Sequence, residues 1–271
     1  MADTFNGTTS GNFGTVGNWD TGNVPGTGAS ETSNMAGTST SVTSGLDRSA
    51  SNALAEMIIH NTMLGDIGNS SADPLIIDAA RLTFDGRGSS YYFKGDYTDC
   101  IIQGTSSQSV SLNDGGGVGE TIGDVWIHGA AATTIEASAE LDQLFMGLLA
   151  GAVTIGAGVT ATDLNVGGGF LDSSAAGLTA YVQGGGKLTL SNSGSGTITV
   201  RSGGTLELLT DATVSAITLE PGARLITKNN ANIPTITTLN EYFGSTHDLD
   251  SEPQRVAIGT RNRFGFPAPL T

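Results

Sequence analysis

Four aspartates, Asp78, Asp85, Asp96 and Asp99, fall close together in a chain that is otherwise poor in charge. Two carboxylates held about 5–10 Å apart are what glycoside hydrolysis needs. Aspartate also favours solvated turns, where its side chain bonds nearby backbone N–H groups. Both readings fit the spacing. A lyase fits less well, because the only lysines are Lys94, Lys187 and Lys228. His60, His128 and His247 are far apart and lack Cys or acidic neighbours at ligand spacing, so no metal site is expected. Cys100 is the single thiol; it forms no intrachain disulfide and reads as a small buried apolar residue. The Gly115–Thr121 stretch has the look of a phosphate loop, but Glu120 stands where such a loop needs lysine. There is no Gly-x-Ser-x-Gly elbow and no Gly-Gly-x-Gly-x-Asp calcium repeat. The expectation is a protein that is not an enzyme and uses no cofactor or metal.

The elements that would have to position these residues are repetitive. Gly169, Gly186, Gly204 and Gly222 recur at intervals of 17, 18 and 18 residues. An apolar residue follows each within three positions: Leu171, Leu188, Leu206 and Leu225. A short alternating strand precedes each, ending at Val166, Val182, Val200 or Leu219. Alternation of period two puts Val, Leu and Ile on one face and Thr, Ser, Asn, Arg and Glu on the other. One such unit cannot bury its own apolar face, but stacked units can. The upstream segments Met57–Asn61, Leu82–Gly86, Tyr91–Gly95, Cys100–Gly104 and Val125–Gly129 read as earlier coils with longer loops. The predicted fold is all-β: a single-stranded right-handed parallel β-helix, or solenoid, with coils of about 18 residues. About ten coils over residues 52–240 would make a rod roughly 50 Å long.

Three regions are expected. Residues 1–45, rich in Gly, Thr and Ser, read as an N-terminal arm or cap anchored by Trp19. Residues 46–240 are the solenoid. Residues 241–271 read as an extended C-terminal docking tail, because the repeat is lost and prolines prevent ladder bonding. Leu141, Leu144, Phe145, Leu148 and Leu149 follow helical spacing, with Gly151 as a cap. They predict either a short helix on the side of the rod or a fully buried pair of strands.

Charge narrows the partners. The net charge is −15, and residues 253–271 carry Arg255, Arg261 and Arg263 with only Glu252 just outside them, so a +3 tail leaves −18 on the body. An acidic body repels nucleic acid. No apolar run is long enough for a membrane span, and the N-terminus has no secretory pattern. Folding in a host cytoplasm is therefore expected, and the glycosylation-type triplets beginning at Asn6 and Asn69 read as chance. In the tail, Arg255, Arg261, Arg263, Phe264 and Phe266 are the candidate partner-binding residues, since arginine and aromatic side chains anchor interfaces. The alternative is that they cap the last coil.

The Gly-Gly-Thr-Leu-Glu-Leu phrase at 203–208 resembles the coils of β-helical passenger domains in bacterial adhesins and autotransporters. The Asn18-Trp-Asp-Thr-Gly-Asn-Val-Pro25 phrase is similar to the entry segment of many of them. The likeness covers residues 11–26 and 153–227, and it implies architecture more than activity. Within these residues neither a signal-peptide pattern nor a membrane-barrel pattern is read, so the expectation departs from autotransporters. By analogy, the resemblance then points to virion β-helices assembled in a cytoplasm. The expected function is a phage capsid decoration or cement protein on the outer surface of the virion. Its partners would be the major capsid protein and itself, as a homotrimer. The alternatives are a tailspike or fibre domain that binds or cleaves surface polysaccharide, and an adhesin fragment. A polysaccharide binder should expose aromatics along the rod, and only Trp126 and the Tyr91–Tyr92 pair stand out.

Overall fold

A computed structural model describes residues 2–266, apart from 8–9, 27–30, 49–52, 115–120, 137, 174–176, 192–195, 210–211, 229–232 and 250–255. The architecture is a parallel β-solenoid. One sheet stacks thirteen strands, from Ala2–Phe5 at one end to Ala257–Phe264 at the other. A second stacks ten, from Leu75–Ile76 to Thr246–Leu249. Every strand pairing is parallel, and consecutive strands of a sheet are one coil apart in sequence. Thirteen rungs at the usual strand spacing make a rod about 60 Å long.

The inward columns follow from the two-residue alternation. In the smaller sheet Leu171, Leu188, Leu206 and Leu225 lie side by side on successive rungs, and all four are buried. In the larger sheet Val166, Val182, Val200 and Leu219 do the same. Coil length is about 18 in this regular stretch, as between Ala180 and Ile198. Upstream coils vary, from the same 18 between Ala79 and Tyr97 up to the interval from Ala2 to Thr32. The paired strands keep a parallel register across these differences.

The turns are laddered as well. Gly185 donates its N–H to the Gly203 carbonyl (3.0 Å), and Gly203 to that of Gly222 (3.0 Å). These three glycines have φ of +95°, +79° and +80°. The structural equivalents are thus Gly185, Gly203 and Gly222; Gly186 and Gly204 of the series suggested by spacing fall one position late, while Gly222 belongs to both. Gly204, the next residue, is needed for a different reason: a Cβ there would sit 2.3 Å from the Val182 carbonyl oxygen. At Gly203 the nearest atom to a Cβ is 3.4 Å away, so Gly203→Ala tests backbone strain alone. It should cost roughly 1–2 kcal/mol, read as a lower urea midpoint with an unchanged slope.

Three expectations are corrected. The first concerns residues 141–149. Glu140–Met146 is a strand, not a helix and not one of a fully buried pair. Leu141 and Leu144 both point inward, with Asp142 and Gln143 outward between them, while Leu148 and Leu149 are exposed in the turn. The same three-residue inward step occurs at Ala79 and Leu82, at Tyr97 and Cys100, and at Ile236 and Leu239. It marks a corner where the chain bends between two short extended pieces, and it mimics helical spacing. The second concerns the N-terminal region. It is not a separate arm, because Ala2–Phe5 and Thr32–Met35 are the first two rungs of the larger sheet. Trp19 is the expected anchor: it packs edge-on against Phe5 and Phe13 and donates its indole N–H to the Phe13 carbonyl. The third concerns the tail. Thr246–Leu249 and Ala257–Phe264 continue both sheets in register. Pro267 and Pro269 fall after the last strand and outside the described residues.

Candidate functional site

The two ends of the rod differ. At the first rung, residues 18–20 lie antiparallel along the outer edge of Ala2–Phe5. Asn6 donates to the Asn18 carbonyl, and Asp20 to that of Thr4. That edge is closed. At the last rung, Ala257–Phe264 pairs with Thr235–Tyr242 on one side. Among the described residues no strand covers its other side.

The inward columns change character at this open end. The column containing Val200 and Leu219 continues into Glu241 and then Arg263. The neighbouring column, through Ile217 and Leu239, ends in Arg261. In the smaller sheet the leucine column ends in His247. Glu241 is buried. Arg261 donates to both of its oxygens at 2.7 Å, and Arg263 approaches Oε2 at 3.4 Å. Burial alone would raise the Glu241 carboxyl, but the hydrogen bond and charge of Arg261, with Arg263 and His247, together hold it below its ordinary value. His247 is pushed down, chiefly by burial. The apolar core is therefore closed by a polar lid of four residues.

Of the five tail residues expected to bind a partner, Arg255 lies outside the described residues. Arg261 and Arg263 are engaged within the lid. Phe264 stacks on Tyr242 at 4.9 Å, and Phe266 meets Phe243 edge-on at 5.8 Å, with the Arg263 guanidinium over its ring. All four rings remain exposed, Phe243 by 59 % and Phe264 by 42 %. Aromatic surface and an open strand edge thus coincide at one end.

A second cluster lies on the outer face of the smaller sheet. Glu207 faces outward yet is buried. Lys187 reaches its Oε2 at 2.6 Å and Lys228 its Oε1 at 2.7 Å, and the Thr189 hydroxyl also donates to Oε2. Burial pushes this carboxyl up, and its hydrogen bonds to Lys187, Lys228 and Thr189 outweigh that and hold it low. The sequence reading puts glutamate on the outward face and uses Lys187 and Lys228 only as an argument against a lyase. The signal was present, because each lysine stands about one coil from Glu207.

The early aspartates have structural partners. Asp78 accepts the Asp96 N–H (2.9 Å), and Asp96 accepts the N–H of Thr121 (3.1 Å), so they tie turns of successive coils together. Asp99 pairs with Arg81, and Asp85 is half-buried at a strand end. Asp124, beside Asp99 in the next rung, has its carboxyl raised by burial and by the charges of Asp142 and Asp99. Cys100 is buried, and burial pushes its thiol well above the ordinary range. His60 meets Asn34, and His128 is exposed. Of the expected aromatics, Trp126 stacks face to face with Phe145 at 3.9 Å, while Tyr91 is fully buried. The Gly115–Glu120 stretch lies outside the described residues. Among the described residues no group of three His, Cys, Asp or Glu side chains could hold a metal ion, and no helix is long and apolar enough to cross a membrane.

Compared with known protein families, with curated proteins and with solved structures, the chain matches none.

Proposed function

We propose that the protein is a non-enzymatic structural component of a phage virion, a decoration or cement protein that docks on the outer surface of the capsid lattice by the open end of its solenoid. The observation that carries this reading is the asymmetry of the rod. One end is closed by the Trp19 segment. The other presents a strand edge that no described strand pairs, beside Tyr242, Phe243, Phe264 and Phe266. Clustered aromatics are the usual anchors of protein interfaces, and an open edge accepts a strand from a partner. Along the body, Asp78, Asp96 and Asp99 hold coils together, which suits a rod better than a catalytic cleft.

The test is attachment. Heads assembled without the protein should take up the wild-type chain, and the Phe243→Ser/Phe266→Ser variant should bind at least about tenfold more weakly, a loss of roughly 1.4 kcal/mol. Both rings are exposed, so the variant should keep its circular dichroism and melting temperature. Undiminished binding by the variant, or no binding by the wild type, would refute the proposal.

A further inference from the structure

The polar lid carries more positive than negative charge. Among the described residues, Arg261 and Arg263 face one carboxylate, that of Glu241. Asp248, the other acid that His247 senses, is engaged by Arg224. Burial holds His247 below its ordinary value, so it adds no charge at neutral pH. Two guanidiniums against one carboxylate leave a surplus of +1 at the end of a chain whose net charge is −15. The Glu241 side chain keeps only 4 % of its surface exposed, while the two arginines keep 39 % and 54 %. The surplus therefore sits on the outermost rung.

Three inward positions of that rung have no described strand beyond them. Ile258 continues the column of Ile236, Arg261 that of Leu239, and Arg263 that of Glu241. Ile258 packs against the core. The outward positions carry ladders. Asn262 donates its side-chain N–H to Asn240 Oδ1 at 2.9 Å, and Phe264 stacks on Tyr242. Such an edge is a template for one more parallel strand, and neighbouring side chains on adjacent strands set what that strand must carry. Opposite Ile258 it needs an apolar residue. Opposite Arg261 and Arg263 it needs carboxylates. A guanidinium has five N–H donors, and Arg261 gives two of its own to Glu241. A basic residue there would set like charges against each other, which is destabilising. The same edge of a second copy fails for that reason, because its inward positions hold the same arginines.

We propose that this end takes an acidic strand of the docking partner, added parallel to Ala257–Phe264, whose inward positions read apolar-x-x-acid-x-acid. The inference rests on the reading of this end as the docking surface and names the chemistry of the segment it takes. The added strand puts a carboxylate beyond Arg261 and another beyond Arg263, so that charge alternates along the column from Glu241 outward. An asparagine and an aromatic on its outward positions would extend the two ladders.

The probe is a fluorescein-labelled peptide, Thr-Ile-Thr-Thr-Glu-Asn-Glu-Tyr, which repeats the preceding rung with its leucine replaced by glutamate. It should bind the full chain with a Kd of roughly 100 μM or tighter by fluorescence anisotropy, and it should slow amide hydrogen exchange in residues 257–264. The same peptide with lysine at both glutamate positions should bind at least about tenfold more weakly. Arg263→Met should weaken binding of the acidic peptide by about tenfold and leave the melting temperature unchanged, because Arg261 keeps both hydrogen bonds to Glu241. The proposal is overturned by no binding at about 1 mM peptide, by equal binding of the two peptides, by full binding to the variant, or by binding that leaves exchange in 257–264 unchanged. Head attachment is read separately. Heads that take up the wild type while the peptide does not bind would remove this inference alone, and peptide binding without head attachment would remove the capsid reading alone.

Discussion

Leu206→Asp is expected to unfold the C-terminal half of the rod under conditions in which the wild type is fully folded. Leu206 is wholly buried and flanked in its column by Leu188 and Leu225. Neither neighbour in the column can pair with a carboxylate placed there. An unpaired buried charge costs several kcal/mol, added to the roughly 2–5 kcal/mol lost when a core leucine is truncated. In a solenoid each coil is held only by its neighbours, so stability is a sum of local and nearest-neighbour terms. A broken rung in the middle therefore divides the rod. The control is the adjacent residue. Thr205 points outward between Lys187 and Arg224, so Thr205→Asp should change stability by no more than about 0.5 kcal/mol. Thermal melts of both variants decide the matter, and equal melting temperatures would overturn the inward and outward assignment.

That assignment was legible in the sequence because the regular coils obey one rule. Alternation fixes which side chains meet, and a laddered glycine turn fixes where the next strand begins. The misread parts have definite physical causes. At a corner the inward step is three residues, so Leu141 and Leu144 resemble one face of a helix. The glycine series slipped by one place at Gly204 because two different demands, positive φ at Gly203 and close backbone approach at Gly204, fall on neighbouring residues. The tail was read as an extended segment because the apolar repeat is lost there, with Arg261 and Arg263 standing where earlier coils carry Leu or Val. They do occupy inward positions, but on the last rung, where no described residue gives an apolar neighbour on the far side. The Lys187–Glu207–Lys228 cluster depends on residues about one coil apart, so it shows only when the outward faces of successive coils are laid side by side.

Replacing the lid with apolar residues should separate stability from solubility. Glu241, Arg261 and Arg263 stand where the two inward columns would otherwise run apolar to an open edge. Inward charges at an edge are a known barrier to edge-to-edge pairing. In the triple variant Glu241→Leu/Arg261→Leu/Arg263→Leu, the desolvation cost of the charges disappears, so the isolated rod should be as stable as wild type or more so. It should nonetheless associate as its concentration rises, and light scattering would show this. A triple variant that stays monodisperse at high concentration would mean the lid does not guard the edge. The arginine pair alone behaves differently. Arg261→Ala/Arg263→Ala leaves a buried carboxylate without its partners and should cost about 1–3 kcal/mol at neutral pH. The pH dependence gives the sign. In the wild type the carboxyl is held below its ordinary value of 4.5, so its stabilisation is present above that value and is lost as pH falls through the lower folded value. His247, held below its ordinary 6.5 mainly by burial, adds a loss that begins as pH falls through 6.5. Without the arginines, burial raises the Glu241 carboxyl, and protonation then relieves the folded state. The stability gap between wild type and the double variant should therefore close as pH falls through and below the ordinary 4.5. A gap that stays constant from pH 7 to pH 3 would mean that Glu241 is not the group the arginines hold.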